Sequence, residues 1–218
     1  MVANILCPDC EQRFAENGED WVMKYCGRKG KGFKLKDLID VSKPVVSAES
    51  GGLKVYSASG IPQIDVGKLT YFISSIMWRG SVHTWKSGKD VSVTPVLGKK
   101  YEEELRKFLL GKAEFPKNAA VWVDIIPPNS DVWGFVTTPY GGKQEQFWRY
   151  QFLFLGISFT FFMGNRIDPD VRRFCTFRSP EKFLFVGDDA TEMLARDISR
   201  SIKESKRVCV PSLRRQGE

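Results

Sequence analysis

Histidine is nearly absent from this chain: among 218 residues there is one, His83. That shortage excludes the large class of hydrolytic sites that need one imidazole to activate water and others to hold a metal. No Gly-x-Ser-x-Gly elbow occurs, nor a phosphate-cradling Gly-Lys-Ser/Thr loop, since Gly141-Gly142-Lys143 is followed by glutamine and reads as a hairpin turn. Long apolar runs are also missing. The longest, Phe152 to Met163, falls well short of the roughly 20 residues a membrane-spanning helix requires. Residues 1–6 carry neither a basic start nor an apolar stretch, so no secretory signal is expected. Five cysteines, odd in number and widely spread, do not form a disulfide framework and point to a reducing, cytoplasmic setting.

The composition is that of a folded chain, 42% hydrophobic and 13% aromatic, with 33 Lys and Arg against 26 Asp and Glu for a net charge of +7. An excess of this size attracts polyanions and also serves plain solubility.

Along the sequence, Pro8 suits a first helical position, so a short helix is expected over 8–17, broken at Asn17-Gly18 and resumed from Glu19 to Tyr25. A glycine-studded basic loop and a short helix at 35–41 follow. The Ser-, Gly- and Pro-rich segment 42–60 holds one strand, Leu53 to Tyr56, and marks a boundary between a 1–45 subdomain and a 46–218 body. Asp65 has the chemistry of an N-cap for a helix reaching Trp85, with Leu69, Phe72, Ile73, Ile76 and Met77 on one stripe and Tyr71, Trp78, Val82 and Trp85 on a second. This is the expected buried central helix. Lys99 to Leu110 reads as another, stopped by Gly111 and supported by Glu102/Arg106 and Glu103/Lys107 pairs.

Beyond Pro116 the period changes to that of strands: 119–126, 133–138, 146–155, 157–163, 173–177 and 182–186. Trp148, Tyr150, Phe152 and Phe154 alternate with Arg149 and Gln151, while Ile157, Phe159, Phe161 and Met163 alternate with Ser158 and Thr160. Gly156 between them is a turn, a bulge or a kink. A last helix is expected over 190–205, opened by an Asp189/Glu192 capping box. The whole predicts an α+β fold: N-terminal short helices with a Cys-x-x-Cys knuckle, a buried central helix, a mostly antiparallel sheet of five or six strands, and a C-terminal helix.

Three readings compete for Cys7 and Cys10. A zinc knuckle needs four ligands and finds only Cys26 nearby, leaving His83, Cys175, Cys209 or another chain to complete it. A redox dithiol fits the local pattern of a short strand, Cys-Pro-x-Cys and a helix start, but lacks the βαβ continuation. Burial of both thiols as small apolar groups is the plainest reading. Interior packing or a vestigial knuckle ranks first, a zinc site with Cys7, Cys10 and Cys26 second, and redox chemistry third.

The segment Leu6-Cys-Pro-Asp-Cys-Glu-Gln-Arg-Phe14, with the Tyr71 to Trp85 and Tyr101 to Gly111 helices, resembles a group of uncharacterised bacterial proteins similar to HNH-type (ββα-metal) endonucleases. In that group a histidine-bearing segment precedes the cysteine segment. Only six residues precede Cys7 here, so the resemblance implies a knuckle and body without the nuclease half, and transfers no catalytic residue.

Residues that could contact nucleic acid are Arg28, Lys29, Lys31, Lys34 and Lys36 within the stretch Lys24 to Lys36, which holds six basic and no acidic residues, together with Arg79 and His83 on one face of the central helix beside Lys86. A second cluster runs from Arg196 to Arg215, seven basic residues against Asp197 and Glu204. Such groups neutralise phosphates without reading sequence. Asp124, Asp168, Asp170, Asp188 and Asp189 are the acids from which a metal-dependent nuclease would have to be built. The reading favoured is a non-catalytic binding or assembly module, an accessory component of a nucleic-acid-processing or defence-related bacterial or phage system, with nucleic acid, a protein partner or a second copy as its partner and no membrane. The alternative is a metal-dependent nuclease using acidic residues.

Overall fold

In the computed structural model, residues 6–28, 30, 32–47, 53–83, 86–87, 91–92 and 97–187 are described. Helix α1 (Pro8–Phe14), a π-helical turn (Ala15–Glu19) and α2 (Asp20–Tyr25) follow one another without a break. Asn17-Gly18, expected to interrupt the helix, instead forms the π turn. Its reason is packing: a Cβ on Gly18 would stand 2.9 Å from the Phe72 backbone nitrogen and 3.2 Å from the Lys68 carbonyl oxygen. Widening the helix by one residue brings the bare glycine backbone against the central helix. The Glu16 carbonyl then accepts from Lys68 Nζ at 3.1 Å.

The short helix α3 (Lys34–Asp40) buries Leu35 and Ile39, and strands β1 (Val46–Ser47) and β2 (Lys54–Ser57) lead to the central helix α4 (Val66–Val82). The Asp65 carboxylate caps α4 as expected, accepting from the Lys68 N–H at 2.9 Å. Leu69, Phe72, Ile73 and Met77 are buried, and so are Thr70, Ser74 and Ser75, whose hydroxyls donate to the Val66, Thr70 and Phe72 carbonyls. That self-satisfaction is what lets a helix bury polar side chains on several sides. The helix stops at Val82, short of Trp85. A two-stranded ribbon of β3 (Lys86–Ser87) and β4 (Val91–Ser92) follows.

Helix α5 (Lys99–Leu109) crosses onto α4, where the Tyr71 hydroxyl donates to the Leu109 carbonyl at 2.7 Å. Burial pushes that phenol up to about 12. Gly111, at φ 67°, ends α5 in a Schellman motif, with Lys112 N–H bonded to Lys107 O and Gly111 N–H to Phe108 O. On its exposed face Glu103 pairs with both Arg106 and Lys107.

The remaining elements are β5 (Ala119–Ile125), β6 (Tyr140–Lys143), β7 (Trp148–Phe154), β8 (Ile157–Met163), α6 (Pro169–Arg173) and β9 (Phe183–Val186). Among the described residues the main sheet has seven strands in the order β1-β2-β9-β5-β8-β7-β6, one or two more than expected. Every pair is antiparallel except β5 with β9. The additions are the edges β1 and β6, too short or too glycine-rich to alternate. Gly141-Gly142-Lys143 lies within β6, and the turn expected there falls at 144–147 instead.

Two expected strands are absent. Residues 133–138 form turns with a single bridge, Val136 to Phe154, and 173–177 fall at the end of α6 and in turns. One residue of the latter still serves the sheet: Thr176 N–H donates to Val121 O at 2.7 Å and its hydroxyl accepts from Val123 N–H at 2.9 Å, along the part of β5 that β9 leaves uncovered. β7 and β8 form a hairpin closed by Leu155 and Gly156, with φ of 47° and 87°, the left-handed pair that a two-residue turn of type I′ requires. The helix expected over 190–205 lies outside the described residues.

One face of the sheet packs on α4. Val121, Val123, Phe152, Phe159 and Phe161 are buried there, and the Phe72 ring meets Phe152, Phe154 and Phe159 at 5.2–6.3 Å between centroids. Val22, Cys26, Phe33, Leu35 and Ile39 belong to the same core, so it is continuous across the boundary placed at residues 45 and 46. The opposite face carries Ala120 and Phe162 under Ile167 and Cys175, with Trp122 donating to the Val171 carbonyl at 3.0 Å. Among the described residues no helix is long and apolar enough to cross a membrane.

Candidate nucleic-acid interface and cysteine pair

The loop between α2 and α3 is shaped by Gly30 and Gly32, both at left-handed φ (76° and 79°), and closed by a bridge from Arg28 N–H to Gly32 O at 3.0 Å. Beside it an open cleft of about 440 Å³ gathers Lys24, Arg28 and Lys34 around Met23 and Cys26, with Asp20 as the opposing charge. Lys24 and Lys34 are exposed. The Arg28 guanidinium donates through Nη2 to the Met23 carbonyl, while its Nε is buried with no partner among the described residues. Fixing that fork at one corner orients a planar, permanently charged donor at the cleft wall.

The other expected contacts lie elsewhere. Lys36 is paired with Asp40 at 2.6 Å. Lys29, Lys31 and the 196–215 cluster are outside the described residues. Arg79 is engaged by Glu19 and Ser75 and covers the Phe14 ring at 5.4 Å from its centroid. His83, expected on one helical face with Arg79 and Lys86, is the extended residue that ends α4 (φ −115°, ψ 132°), and Lys86 lies in β3. The helix that would have aligned these three does not extend far enough. Asp20 is the cleft residue the sequence reading missed; it lies one helical turn before Lys24, a spacing that carries the signal.

Cys7 occupies the N-cap of α1 with extended backbone, and its carbonyl accepts from both Cys10 and Glu11 N–H at 3.0 Å. It is exposed and Cys10 half-buried, so the pair does not pack into the interior as expected. Cys7 is held below its ordinary value by the nearby Cys10 backbone N–H and then by the Cys10 thiol, whereas Cys10 is raised by the neighbouring Cys7 thiol and by burial. Cys26 is buried, donates to Met23 O at 3.5 Å, and is raised by desolvation.

Sixteen positions separate Cys26 from Cys10, nearly all of them helical. At about 1.5 Å per residue this places the two roughly 24 Å apart along the helix path. Cys7, Cys10 and Cys26 therefore do not fit one zinc ion. Among the described residues no group of three His, Cys, Asp or Glu side chains stands close enough to hold a metal.

Asp124, near the end of β5, faces Ser158 of β8 in register, and Ser158 Oγ accepts from Gln151 Nε2 at 3.0 Å. Burial pushes the Asp124 carboxyl up to about 7, with the Arg149 charge acting in the opposite direction. Asp168 caps α6, accepting from Asp170 N–H at 2.8 Å, so Asp168-Pro-Asp170 starts a helix where a turn was expected. Asp188 and Asp189 lie outside the described residues. No family model, curated protein or solved structure matches the chain.

Proposed function

We propose that this chain is a non-catalytic nucleic-acid-binding and assembly module that engages the phosphate backbone without reading sequence. The observation that carries the reading is the cleft in which Lys24, Arg28 and Lys34 are collected against a single acid, Asp20, on a chain of net charge +7. Three cations around one concave surface would neutralise phosphates and release counterions, which makes association steeply salt-dependent. The resemblance to HNH-type endonucleases extends the proposal to an accessory role in a nucleic-acid-processing or defence-related bacterial or phage system, beside a protein partner or a second copy.

One feature favours a second reading, a metal-dependent nuclease using acidic residues: Asp124, opposite Ser158 in register and with its carboxyl pushed up to about 7 by burial, has the acid–base poise such chemistry uses. A single experiment separates the two. The purified chain is titrated against a labelled duplex and the matching single strand at several salt concentrations, with and without Mg²⁺ or Mn²⁺, and plasmid integrity is followed in parallel. Binding that weakens with salt and ignores the metal supports the module. Metal-dependent cleavage lost in Asp124→Asn supports the nuclease. Absence of binding to either nucleic acid at low salt overturns the first reading.

A further inference from the structure

We propose that Cys7 and Cys10 form a thiol–disulfide exchange site for low-molecular-weight disulfides, with Cys7 the attacking sulfur and Cys10 the resolving one. The geometry is that of a closed turn. The bond from Cys10 N–H to Cys7 O keeps the two Cα atoms within about 7 Å, and a disulfide spans about 4.4–6.8 Å between Cα atoms. Cys7 is open to solvent and Cys10 is half-buried, which assigns first contact to Cys7 and the closing step to Cys10.

The remaining described thiols are unsuited to the role. Cys26 and Cys175 are buried and donate to the Met23 and Phe177 carbonyls. No third metal-ligating side chain stands with Cys7 and Cys10 among the described residues, so neither sulfur is claimed there. The nearby Cys10 backbone N–H, ahead of the Cys10 thiol, holds the Cys7 thiol below its ordinary value and so favours the thiolate, the nucleophile of exchange; the Asp9 charge opposes this and Arg13 favours ionisation of Cys10.

The chemistry balances with a disulfide RSSR as oxidant. The Cys7 thiolate attacks one sulfur, forming a Cys7–S–S–R bond and releasing RS⁻, which takes up the proton Cys7 lost. Cys10 then gives up its proton and attacks the Cys7 sulfur, forming the Cys7–Cys10 bond and releasing the second thiol. The protein loses two electrons and two protons, and RSSR is reduced to two RSH.

The test uses the full chain and oxidised glutathione, with intact mass and peptide mapping as readouts and circular dichroism as the folding control. The parent should lose two thiols, both mapped to the 7–10 peptide, and regain them with reduced glutathione. Cys10→Ser should accumulate a stable glutathione adduct on Cys7. Cys7→Ser should react at Cys10 at least ten-fold more slowly. The proposal is overturned if Cys10→Ser, folded, takes up no adduct at Cys7, if Cys7→Ser reacts as fast as the parent, or if the parent's oxidised thiols map elsewhere.

Discussion

The Arg79 guanidinium and the Glu19 carboxylate form an ion pair that fastens the far end of α4 to the end of the π-helical turn, with the Phe14 ring beneath the arginine. Side-chain exposures of 24% and 30% keep it out of bulk water. It should outweigh a surface pair, whose usual contribution is about 0–1 kcal/mol. Arg79→Ala is expected to lower unfolding free energy by about 1–2 kcal/mol. Lys36→Ala, at a more exposed i,i+4 pair, should change it by less than about 0.5 kcal/mol. Urea denaturation of both variants measures the contrast, and equal effects would contradict the assignment.

Gly18 gives a prediction opposite to helix propensity. Alanine is the better helix former, yet its Cβ would meet the Phe72 and Lys68 backbones, which cannot rotate away. Gly18→Ala should destabilise by about 2–3 kcal/mol through overpacking. Gly60→Ala, with nothing within 4 Å of the added carbon, should stay within about 0.5 kcal/mol of the parent. Thermal unfolding suffices to compare them.

At the cleft, Lys34→Ala removes one exposed cation from α3 without touching the core. For duplex DNA the slope of log K against log salt should become shallower by up to about 0.9, and the loss of affinity should be the same for unrelated sequences. Lys36→Ala should have a smaller effect because Asp40 already neutralises it. A loss confined to one DNA sequence would rule out backbone recognition.

Asp124 predicts a pH dependence of stability. Its folded carboxyl titrates near 7 against 3.8 for the ordinary group, so the folded chain holds the proton over a range where the unfolded chain has lost it. This group's contribution is therefore most favourable below about pH 4 and declines as pH rises through 7. Asp124→Asn lacks that decline. Its stability relative to the parent should rise by about 2 kcal/mol between pH 5 and pH 8. Denaturant midpoints at the two pH values supply the check, and a constant difference would show that the carboxyl is not desolvated.

How far the chain could be read from its residues depended on whether the cause was local. The Asp65 cap, the Gly111 stop and the aromatic core faces of β7 and β8 are each decided within a few residues, and each appears where expected. Gly18 could not be read that way. In isolation Asn-Gly breaks a helix, and only the approach of α4 makes it a π turn. Strand 173–177 failed for a related reason, since β5 needs only Thr176 from that segment. The basic cleft was legible as a charge run, but its concavity comes from the Arg28–Gly32 bridge. The Cys7–Cys10 contact was visible as spacing, whereas the separation of Cys26 required knowing that the helix continues.

The position of β9 has a consequence for how the molecule is made. The strand that sits between β2 and β5 is the last in sequence of the nine strands among the described residues, so the two halves of the sheet cannot join until about residue 186 has left the ribosome. During that interval the inner borders of β2 and β5 are both without their final neighbour, and nascent chains are at their most prone to pair with one another.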